Sequence, residues 1–311
     1  MKNYNVLLFY QFVDIDDLNN HQSFHYNLAH KYHLMGRIYI SKEGLNGTVS
    51  GKKEETEKYM KALNNHPYYK TMQFKIAAHN QHAFNKLHVR IKDEIVNFNV
   101  PSIDVPSMRA PYINPEDFYK ALNDENTVVI DARNDYEFQV GHFRGALNPN
   151  IKNFRELPQW IEKNQSRFQG KSIVTYCTGG IRCEKLTSYM KQIGINDVYQ
   201  LKGGIHTYGT NPSTQGRLWD GALYVFDKRM TTPLNRVNPI VIGKDHFTSV
   251  PCERYINCGN PECNKKIVCT KESEQIYYGS CTEACRVHPR NRYMLKLDKF
   301  LDEGLFKGLT N

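Results

Sequence analysis

The feature that most constrains this chain is an apolar segment that runs through a glycine-containing loop directly into a helical pattern. The segment SIVTYC, residues 172–177, is typical of a buried strand, the loop residues are Thr178, Gly179, Gly180 and Ile181, and Arg182 follows. Consecutive glycines let backbone N–H groups converge on one point at a helix N-terminus, which favours an anion. Cys177 is therefore predicted to be a nucleophilic thiolate with Arg182 beside it, rather than a packed structural cysteine.

Strand and helix patterns alternate on both sides of this loop, from residue 113 to residue 212. TVVIDAR and DVYQLKGG read as strands, and NPEDFYKALN reads as a helix that follows an Asn cap with Pro in its first turn. Repeated strand–helix units imply a parallel-sheet α/β domain with its site at the carboxyl ends of the strands.

The regions before and after this domain have different patterns. Residues 1–99 predict the order β-α-β-β-α-β-β of a ferredoxin-like α+β domain with an extra strand, and a turn at the Gly-Leu-Asn-Gly of residues 44–47. Residues 100–112 contain three prolines and predict a linker. Residues 213–311 form a small Cys-rich C-terminal region, in which residues 291–306 predict a closing helix.

Composition narrows the class of protein. The mean hydropathy is −0.62, and no stretch approaches the about 20 consecutive apolar residues of a spanning helix, so no membrane partner is expected. Gln11 interrupts the apolar run at the start of the chain and no cleavage site follows, so a cytoplasmic protein is expected. The net charge of +9 lies mostly in the two flanking regions, which indicates either a polyanionic partner or a lysine-rich surface that serves solubility.

The loop spacing separates two cysteine chemistries. Four residues separate Cys177 from Arg182, one fewer than in a cysteine phosphatase loop, and position 183 is Cys. A loop of this length resembles that of rhodanese domains, which hold a cysteine persulfide. The segment with Asp131, Arg133 and Glu137 followed by Gly-His-x-x-Gly-Ala at 141–146, and LKGGIHTYG at 201–209, resemble the rest of that family's signature. The resemblance implies that Cys177 is the catalytic thiol, that Arg182 and the loop amides clamp an anion, and that Asp131 and Arg133 brace the loop.

The whole chain resembles a narrower family. YCTGGIRCEK at 176–185, SKEGLNGTVSG at 41–51 and the Cys-rich tail together resemble the rhodanese-containing tRNA uridine hydroxylases of bacteria. This resemblance implies conversion of the wobble uridine to 5-hydroxyuridine with molecular oxygen. It also implies that the two basic flanks cradle a tRNA anticodon arm, and DNA is not expected as a partner.

Several alternatives remain open at this stage. No flavin or nicotinamide motif and no iron-binding triad is visible, so one hypothesis is that Cys177 adds to uridine C6 and makes C5 reactive toward oxygen. Cys183 either resolves an oxidised Cys177 or is a packed helix residue. The alternative activity is a sulfurtransferase that carries a persulfide on Cys177. A non-enzymatic alternative is an RNA-binding or redox-sensing protein with a Cys177–Cys183 disulfide.

The tail contains six of the eight cysteines. A disulfide framework is not expected in a reducing compartment. Cys258 with Cys263 and Cys281 with Cys285 have the spacing closest to paired zinc ligands, and four protein ligands would make such a site structural. Disulfides or free thiols are the alternatives.

Basic and aromatic residues of the first domain are candidate RNA contacts. For any single one of them, a position on the solvated surface or, for an aromatic, in the core is a better explanation than an RNA contact. These candidates are Arg37, Lys42, Lys52, Lys53 and Arg90 for phosphate, and Tyr39 or Phe74 for stacking on a base.

Overall fold

The computed structural model describes residues 2–101 and 103–302. The first part of the chain forms strands β1 (Tyr4–Phe12), β2 (Met35–Ser41), β3 (Gly44–Lys52), β4 (Gln73–His79) and β5 (Leu87–Ile91), and helices α1 (Leu18–Lys31) and α2 (Lys53–Asn64). The sheet order β4-β1-β3-β2-β5 confirms the predicted ferredoxin-like arrangement, and β5 is the extra strand, parallel to β2. Leu7 and Phe9 of β1 pack with Ala29 of α1 and Tyr59 of α2 in one core. The alternate residues of β1 face away from the helices because side chains alternate along a strand.

The predicted turn at residues 44–47 is wrong. The β2–β3 turn lies at residues 42–43, and residues 44–47 are inside β3. The glycines serve close packing instead. A Cβ at Gly44 would lie 2.1 Å from the Gln11 carbonyl oxygen, and one at Gly47 would lie 2.3 Å from the Phe9 ring. A glycine therefore marks a close approach here rather than a chain reversal.

The central part is built on a parallel sheet, as predicted. Its elements are α3 (Val105–Met108), β6 (Tyr112–Ile113), α4 (Pro115–Ala121), β7 (Thr127–Asp131), α5 (Asp135–Val140), β8 (Gly141–Phe143), α6 (Leu157–Lys163), β9 (Ser172–Tyr176), α7 (Ile181–Gln192), β10 (Val198–Leu201) and α8 (Gly204–Thr210). The sheet order is β6-β10-β9-β7, so β9 is a central strand. The Asn114 side chain caps α4 by accepting a hydrogen bond from the Asp117 amide at 2.8 Å.

The segment predicted as a linker, residues 100–112, packs against the parallel-sheet domain. Val105 of α3 is buried. The Ala110 amide donates to Thr187 Oγ1 at 3.2 Å, and Gln200 Nε2 donates to the Ala110 carbonyl at 3.0 Å. These bonds attach the segment to α7 and β10.

The last part of the chain packs against the central domain and carries the cysteines. Its elements are β11 (Trp219–Gly221), β12 (Leu223–Tyr224), β13 (Thr231–Thr232), β14 (Tyr255–Asn257), β15 (Lys266–Val268), α9 (Lys271–Ile276), α10 (Glu283–Arg286) and α11 (Arg292–Asp302). Trp219 is buried and pairs with Phe143 across the β11–β8 ladder. The predicted closing helix is α11 up to Asp302, and its predicted residues 303–306 lie outside the described residues.

Within the described ranges, every helix is too short or too polar to span a lipid bilayer.

Candidate active site

Cys177 lies at the carboxyl end of a central strand and at the start of a helix. It directly follows β9, is 1% exposed, and accepts a hydrogen bond at its Sγ from the Gly180 amide at 3.1 Å. Gly180 adopts φ +106°, a left-handed conformation that glycine favours, and it caps α7. The left-handed turn at Gly180 therefore directs its amide to the sulfur, and α7 begins at the next residue, Ile181.

The second glycine pair holds this loop in place. A Cβ at Gly204 would lie 2.4 Å from the Cys177 carbonyl oxygen. The Ile205 amide donates to that oxygen at 2.9 Å, and the His206 amide donates to the Thr178 carbonyl at 3.1 Å. The Gly-Gly of residues 203–204 thus allows the start of α8 to approach the active-site loop.

The surroundings of Cys177 favour its thiolate. Burial alone raises the pKa of this thiol, but hydrogen bonds with Cys183, the charge of Arg182 and the Gly180 amide together lower it below its usual value. Cys183 is fully buried, and burial together with the neighbouring Cys177 charge raises its pKa well above the usual range. The pair therefore holds one negative charge on Cys177 and one proton on Cys183. The eight cysteines, all within the described residues, form no disulfide in this structure.

Arg182 is held beside the thiolate by a buried carboxylate. Its Nη1 and Nη2 atoms donate to the two oxygens of Glu137 at 2.6 and 2.8 Å, and Nη2 also donates to Thr178 Oγ1 at 3.2 Å. Glu137 is fully buried. The Phe226 ring lies over the guanidinium, with its centroid 5.8 Å from Cζ. Because the bidentate pair fixes the guanidinium plane, Arg182 presents a rigid positive charge to the loop.

Asp131 and Arg133 form a buried ion pair behind the loop. Arg133 Nη2 donates to Asp131 Oδ2 at 2.6 Å and to the Gly141 carbonyl at 2.7 Å. The Tyr176 hydroxyl donates to the same Asp131 oxygen at 2.7 Å. These contacts tie the end of β9 to the end of β7 and to β8.

A cleft of about 790 Å³ opens above Cys177 and is bounded by all three parts of the chain. The face of the N-terminal sheet opposite its helices forms one wall, and the loop before β13 forms another. Most of its charged and aromatic side chains come from regions far from Cys177 in sequence. The charged and aromatic residues that line it are Lys2, Tyr10, Arg37, Tyr39, Lys75, Phe84, Phe154, Arg155, Arg182, His206, Phe226, Asp227, Arg229 and Arg236.

Two residues of α7 fasten the N-terminal sheet over the loop. Glu184 Oε1 accepts hydrogen bonds from Tyr10 at 3.1 Å and from Tyr112 at 2.5 Å. The buried Lys185 ammonium lies 2.8 Å from a Glu43 oxygen and 3.2 Å from a Glu94 oxygen. Both α7 residues belong to the sequence YCTGGIRCEK, so this motif carries the domain contact as well as the thiol.

Sequence reasoning did not identify Tyr10, Lys75, Glu184, Lys185 or Phe226 as site residues. One signal was present, because residues 4–13 are apolar at nearly every position rather than at alternate ones. Such a run is typical of a strand covered on both faces. It did not show what covers the second face.

Of the candidate RNA contacts, only some reach the cleft. Arg37 and Tyr39 line it. Phe74 packs in the core, with its ring centroid 5.3 Å from that of Phe9. Lys42, Lys52, Lys53 and Arg90 are exposed on the surface.

The structure brings together the four cysteines predicted as metal ligands. The sulfur atoms of Cys258, Cys263, Cys281 and Cys285 all lie within 4.8 Å of one another, so the group could hold a metal ion. Two of the separations are 3.6 Å and 3.9 Å. A tetrahedral zinc ion with Zn–S bonds of about 2.3 Å needs sulfurs about 3.8 Å apart. Cys252 and Cys269 lie outside this group.

The parallel sheet and the Cys177–Arg182 loop define the centre of the chain as a rhodanese-like cysteine domain. The family model of the rhodanese-like domain matches residues 114–210. The models described as UPF0176 acylphosphatase like domain and Rhodanase C-terminal match residues 4–95 and 220–286. Among solved structures, the rhodanese-like domain of an Anabaena protein aligns with a TM-score of 0.30 and 17% identity, covering 41% of this chain and 92% of that one.

Relatives match over nearly the whole chain. The tRNA uridine(34) hydroxylase of Bacillus licheniformis is 51% identical over 296 residues, which are 94% of this chain and 92% of that protein. The protein of the same name from Bacillus cereus strain G9842 is 50% identical over 296 residues, which are 95% of this chain and 93% of that protein. The chain belongs to the tRNA uridine(34) hydroxylase family.

Proposed function

We propose that this protein hydroxylates the wobble uridine of tRNA to 5-hydroxyuridine with molecular oxygen, and that Cys177 is the catalytic thiol. The observation that carries the proposal is the Cys177 thiol of lowered pKa at the floor of a cleft of about 790 Å³, in a chain 51% identical to a tRNA uridine(34) hydroxylase. Because tRNA is the substrate, we expect the reaction to take place in the cytoplasm.

The cleft suits a single nucleotide of an anticodon loop. Its volume lies in the range of ordinary ligand pockets. Arg37, Arg155 and Arg236 lie on its walls, one from each part of the chain, and supply positive charge on several sides. Bases in a single-stranded loop can leave the stack at little cost, and arginines hold the flanking phosphates. The anticodon arm is therefore the part of tRNA that we propose to enter.

The chemistry begins with the nucleophile. We propose that the Cys177 thiolate adds to C6 of the uracil ring, which makes C5 electron-rich and reactive toward oxygen. Placing one oxygen atom on C5 and reducing the other to water requires two electrons and two protons. We propose that the Cys177–Cys183 pair supplies the two electrons and one proton, and that solvent supplies the second proton. Overall, uridine, O₂, a thiolate, a thiol and a proton give 5-hydroxyuridine, water and a disulfide.

We propose a positioning role, without contact to the substrate, for Asp131, Arg133 and Glu137. They hold the strand end and the Arg182 guanidinium, and Arg182 with the Gly180 amide keeps Cys177 ionised. Cys183 holds the proton of the pair, and we propose that it forms a disulfide with an oxidised Cys177.

We also propose that Cys258, Cys263, Cys281 and Cys285 hold a structural zinc ion. Four protein thiolates leave no open coordination position, so such a zinc would fold the C-terminal module rather than bind substrate.

The first experiment measures the nucleosides of total tRNA from cells that lack the protein. The cells are complemented with the wild type, with Cys177→Ser, or with Cys252→Ser, a cysteine outside both the cleft and the four-thiol group. We expect the wild type and Cys252→Ser to restore 5-hydroxyuridine derivatives and Cys177→Ser to restore none. Purified protein with unmodified tRNA and ¹⁸O₂ removes the contribution of any parallel pathway, and the label is expected in the nucleoside.

Two results would contradict the proposal. Unchanged 5-hydroxyuridine derivatives together with altered thiolated nucleosides would indicate a sulfurtransferase that uses the same thiolate. Full activity of Cys177→Ser on purified tRNA would remove Cys177 from the reaction.

A further inference from the structure

A lysine of the N-terminal sheet, Lys75, lies next to the active-site loop because of the strand register. Lys75 of β4 lies directly opposite Leu8 of β1, so both side chains project from the same face of the sheet. A Cβ at Gly179 would lie 2.6 Å from Leu8 Cδ2 and 4.0 Å from Lys75 Cδ. Lys75 therefore lies against the loop that holds Cys177, and both residues line the cleft.

The ammonium group of Lys75 is not neutralised by an ion pair. Lys185 of α7 pairs with Glu43 and Glu94. Among the ion pairs of the described residues, none includes Lys75. Its Nζ instead lies 5.0 Å from the centroid of the Tyr10 ring. Burial lowers the pKa of Lys75, while the charges of Cys177 and Glu184 raise it. A half-buried cation without a paired carboxylate costs free energy, and a negative charge that develops beside it offsets this cost.

We propose that Lys75 binds O4 of the target uracil ring and stabilises the negative charge that develops there when Cys177 adds to C6. This inference rests on the proposed function and names a second catalytic residue for it.

The addition step balances without an oxidant. The Cys177 sulfur forms a bond to C6, the C5=C6 π pair moves to C5–C4, and the C4=O4 π pair moves onto O4. The Lys75 ammonium donates a hydrogen bond to this oxygen and keeps its proton. Tyr10 packs against the ammonium and fixes its direction.

The same contact selects the base. Uracil presents a hydrogen-bond acceptor at position 4, whereas cytosine presents an amino group. An ammonium group only donates hydrogen bonds, so it pairs with O4 and repels the cytosine amino group.

If Lys75 bound a tRNA phosphate instead of O4, its loss would change the kinetic constants differently. A lysine that binds the tRNA backbone contributes equally to ground state and transition state, so its loss raises KM and leaves kcat unchanged. Loss of a group that acts on the developing oxyanion lowers kcat.

The test compares purified full-length wild type with Lys75→Met, Lys75→Arg and the control Lys70→Met. Lys70 is exposed and is not part of the cleft. Two rates are measured on unmodified tRNA: aerobic formation of 5-hydroxyuridine, and anaerobic exchange of the C5 hydrogen of the wobble uridine in D₂O. The exchange reports thiolate addition alone, because C5 takes up deuterium only while the adduct exists. The thermal midpoint of unfolding checks the fold of each variant.

We expect Lys75→Met to lower kcat about 10²- to 10³-fold, with a similar loss of exchange and little change in KM. Lys75→Arg recovers part of both rates because the charge returns, and Lys70→Met matches the wild type. Retention of kcat by a folded Lys75→Met, or a rise in KM alone, overturns the inference but leaves the proposed function intact. Hydroxylation by the wild type without any exchange also overturns it. Absence of both reactions in the wild type contradicts the proposed function itself.

Discussion

At the scale of single residues, the site depends on an unequal division of protons between two cysteines. Cys177 accepts hydrogen bonds and lies beside Arg182, whereas Cys183 has no comparable stabilisation and its pKa is raised. The local motif was enough to predict the nucleophile, because the strand, the glycine pair and Arg182 are contiguous in sequence. Glu137, which orients Arg182, appeared only as one residue of a resembling signature.

The lowered pKa of Cys177 predicts how its reactivity depends on pH. Because the folded-state pKa lies below that of a free thiol, about 8.5, the thiolate persists as the pH falls through that value and is lost only near the lower pKa. We expect the rate of alkylation of Cys177 by iodoacetamide, followed by peptide mass spectrometry, to have its midpoint below that of free cysteine. The Cys183→Ala substitution removes a hydrogen bond that lowers the pKa of Cys177. We therefore expect the midpoint of Cys177 alkylation in this variant at a higher pH than in the wild type. A wild-type midpoint equal to that of the free amino acid would contradict the thiolate.

At the scale of secondary-structure elements, α7 shows what sequence patterns reveal and what they do not. Its existence follows from a local pattern. Its burial does not, because every residue from Arg182 to Met190 is buried although several are charged. The charged side chains reach partners on other elements: Arg182 on α5, Glu184 on β1 and β6, and Lys185 on the turn after β2 and the segment after β5. The incorrect prediction of a turn at residues 44–47 has a related cause. Glycine is needed there because β1 packs closely against these positions, and a local sequence pattern does not show that contact.

The proposed zinc site of the C-terminal region, residues 213–311, can be tested by removing one of its four cysteines. We expect the purified protein to contain zinc, and Cys263→Ser to lose most of it and to unfold the module, because three remaining thiolates bind zinc more weakly and metal binding supplies folding free energy. Metal analysis by mass spectrometry and thermal unfolding measure the two effects. Cys252→Ser is the control, as Cys252 lies outside the group, and it should keep its zinc. Full zinc content in Cys263→Ser, or paired disulfides in a thiol count of the wild type, would contradict this assignment.

At the scale of the whole molecule, the candidate active site is a cleft lined by residues from all three regions. Sequence supplied the order of elements in the N-terminal domain, the alternation of strands and helices in the central domain, and the prediction that Cys177 is the nucleophile. It did not supply the cleft, because Lys75, Lys185 and Phe226 are separated by long stretches of chain and no periodicity links them. The ion pairs of Lys185 are the clearest example, since they join α7 to residues 43 and 94 of the N-terminal domain.

These ion pairs predict that the domains separate when Lys185 is removed. The Lys185 side chain is 4% exposed, and those of Glu43 and Glu94 are 28% and 23% exposed. Lys185→Met leaves two partly buried carboxylates facing each other, so we expect a loss of about 3 kcal/mol in the free energy of unfolding. Restoring neutrality in Lys185→Met/Glu43→Gln/Glu94→Gln should recover much of this stability, since the repulsion is gone.

Urea unfolding and proteolysis between residues 100 and 112 measure the separation. We expect Lys185→Met to be cleaved faster in this segment and to lose 5-hydroxyuridine formation, while alkylation of Cys177 becomes faster because the N-terminal sheet no longer covers the loop. A protein in which the sheet merely adjoins the site would lose stability on this substitution but keep its hydroxylation rate. The combination of slower hydroxylation with a more accessible Cys177 thus separates a cleft that needs all three regions from a rhodanese domain that acts alone.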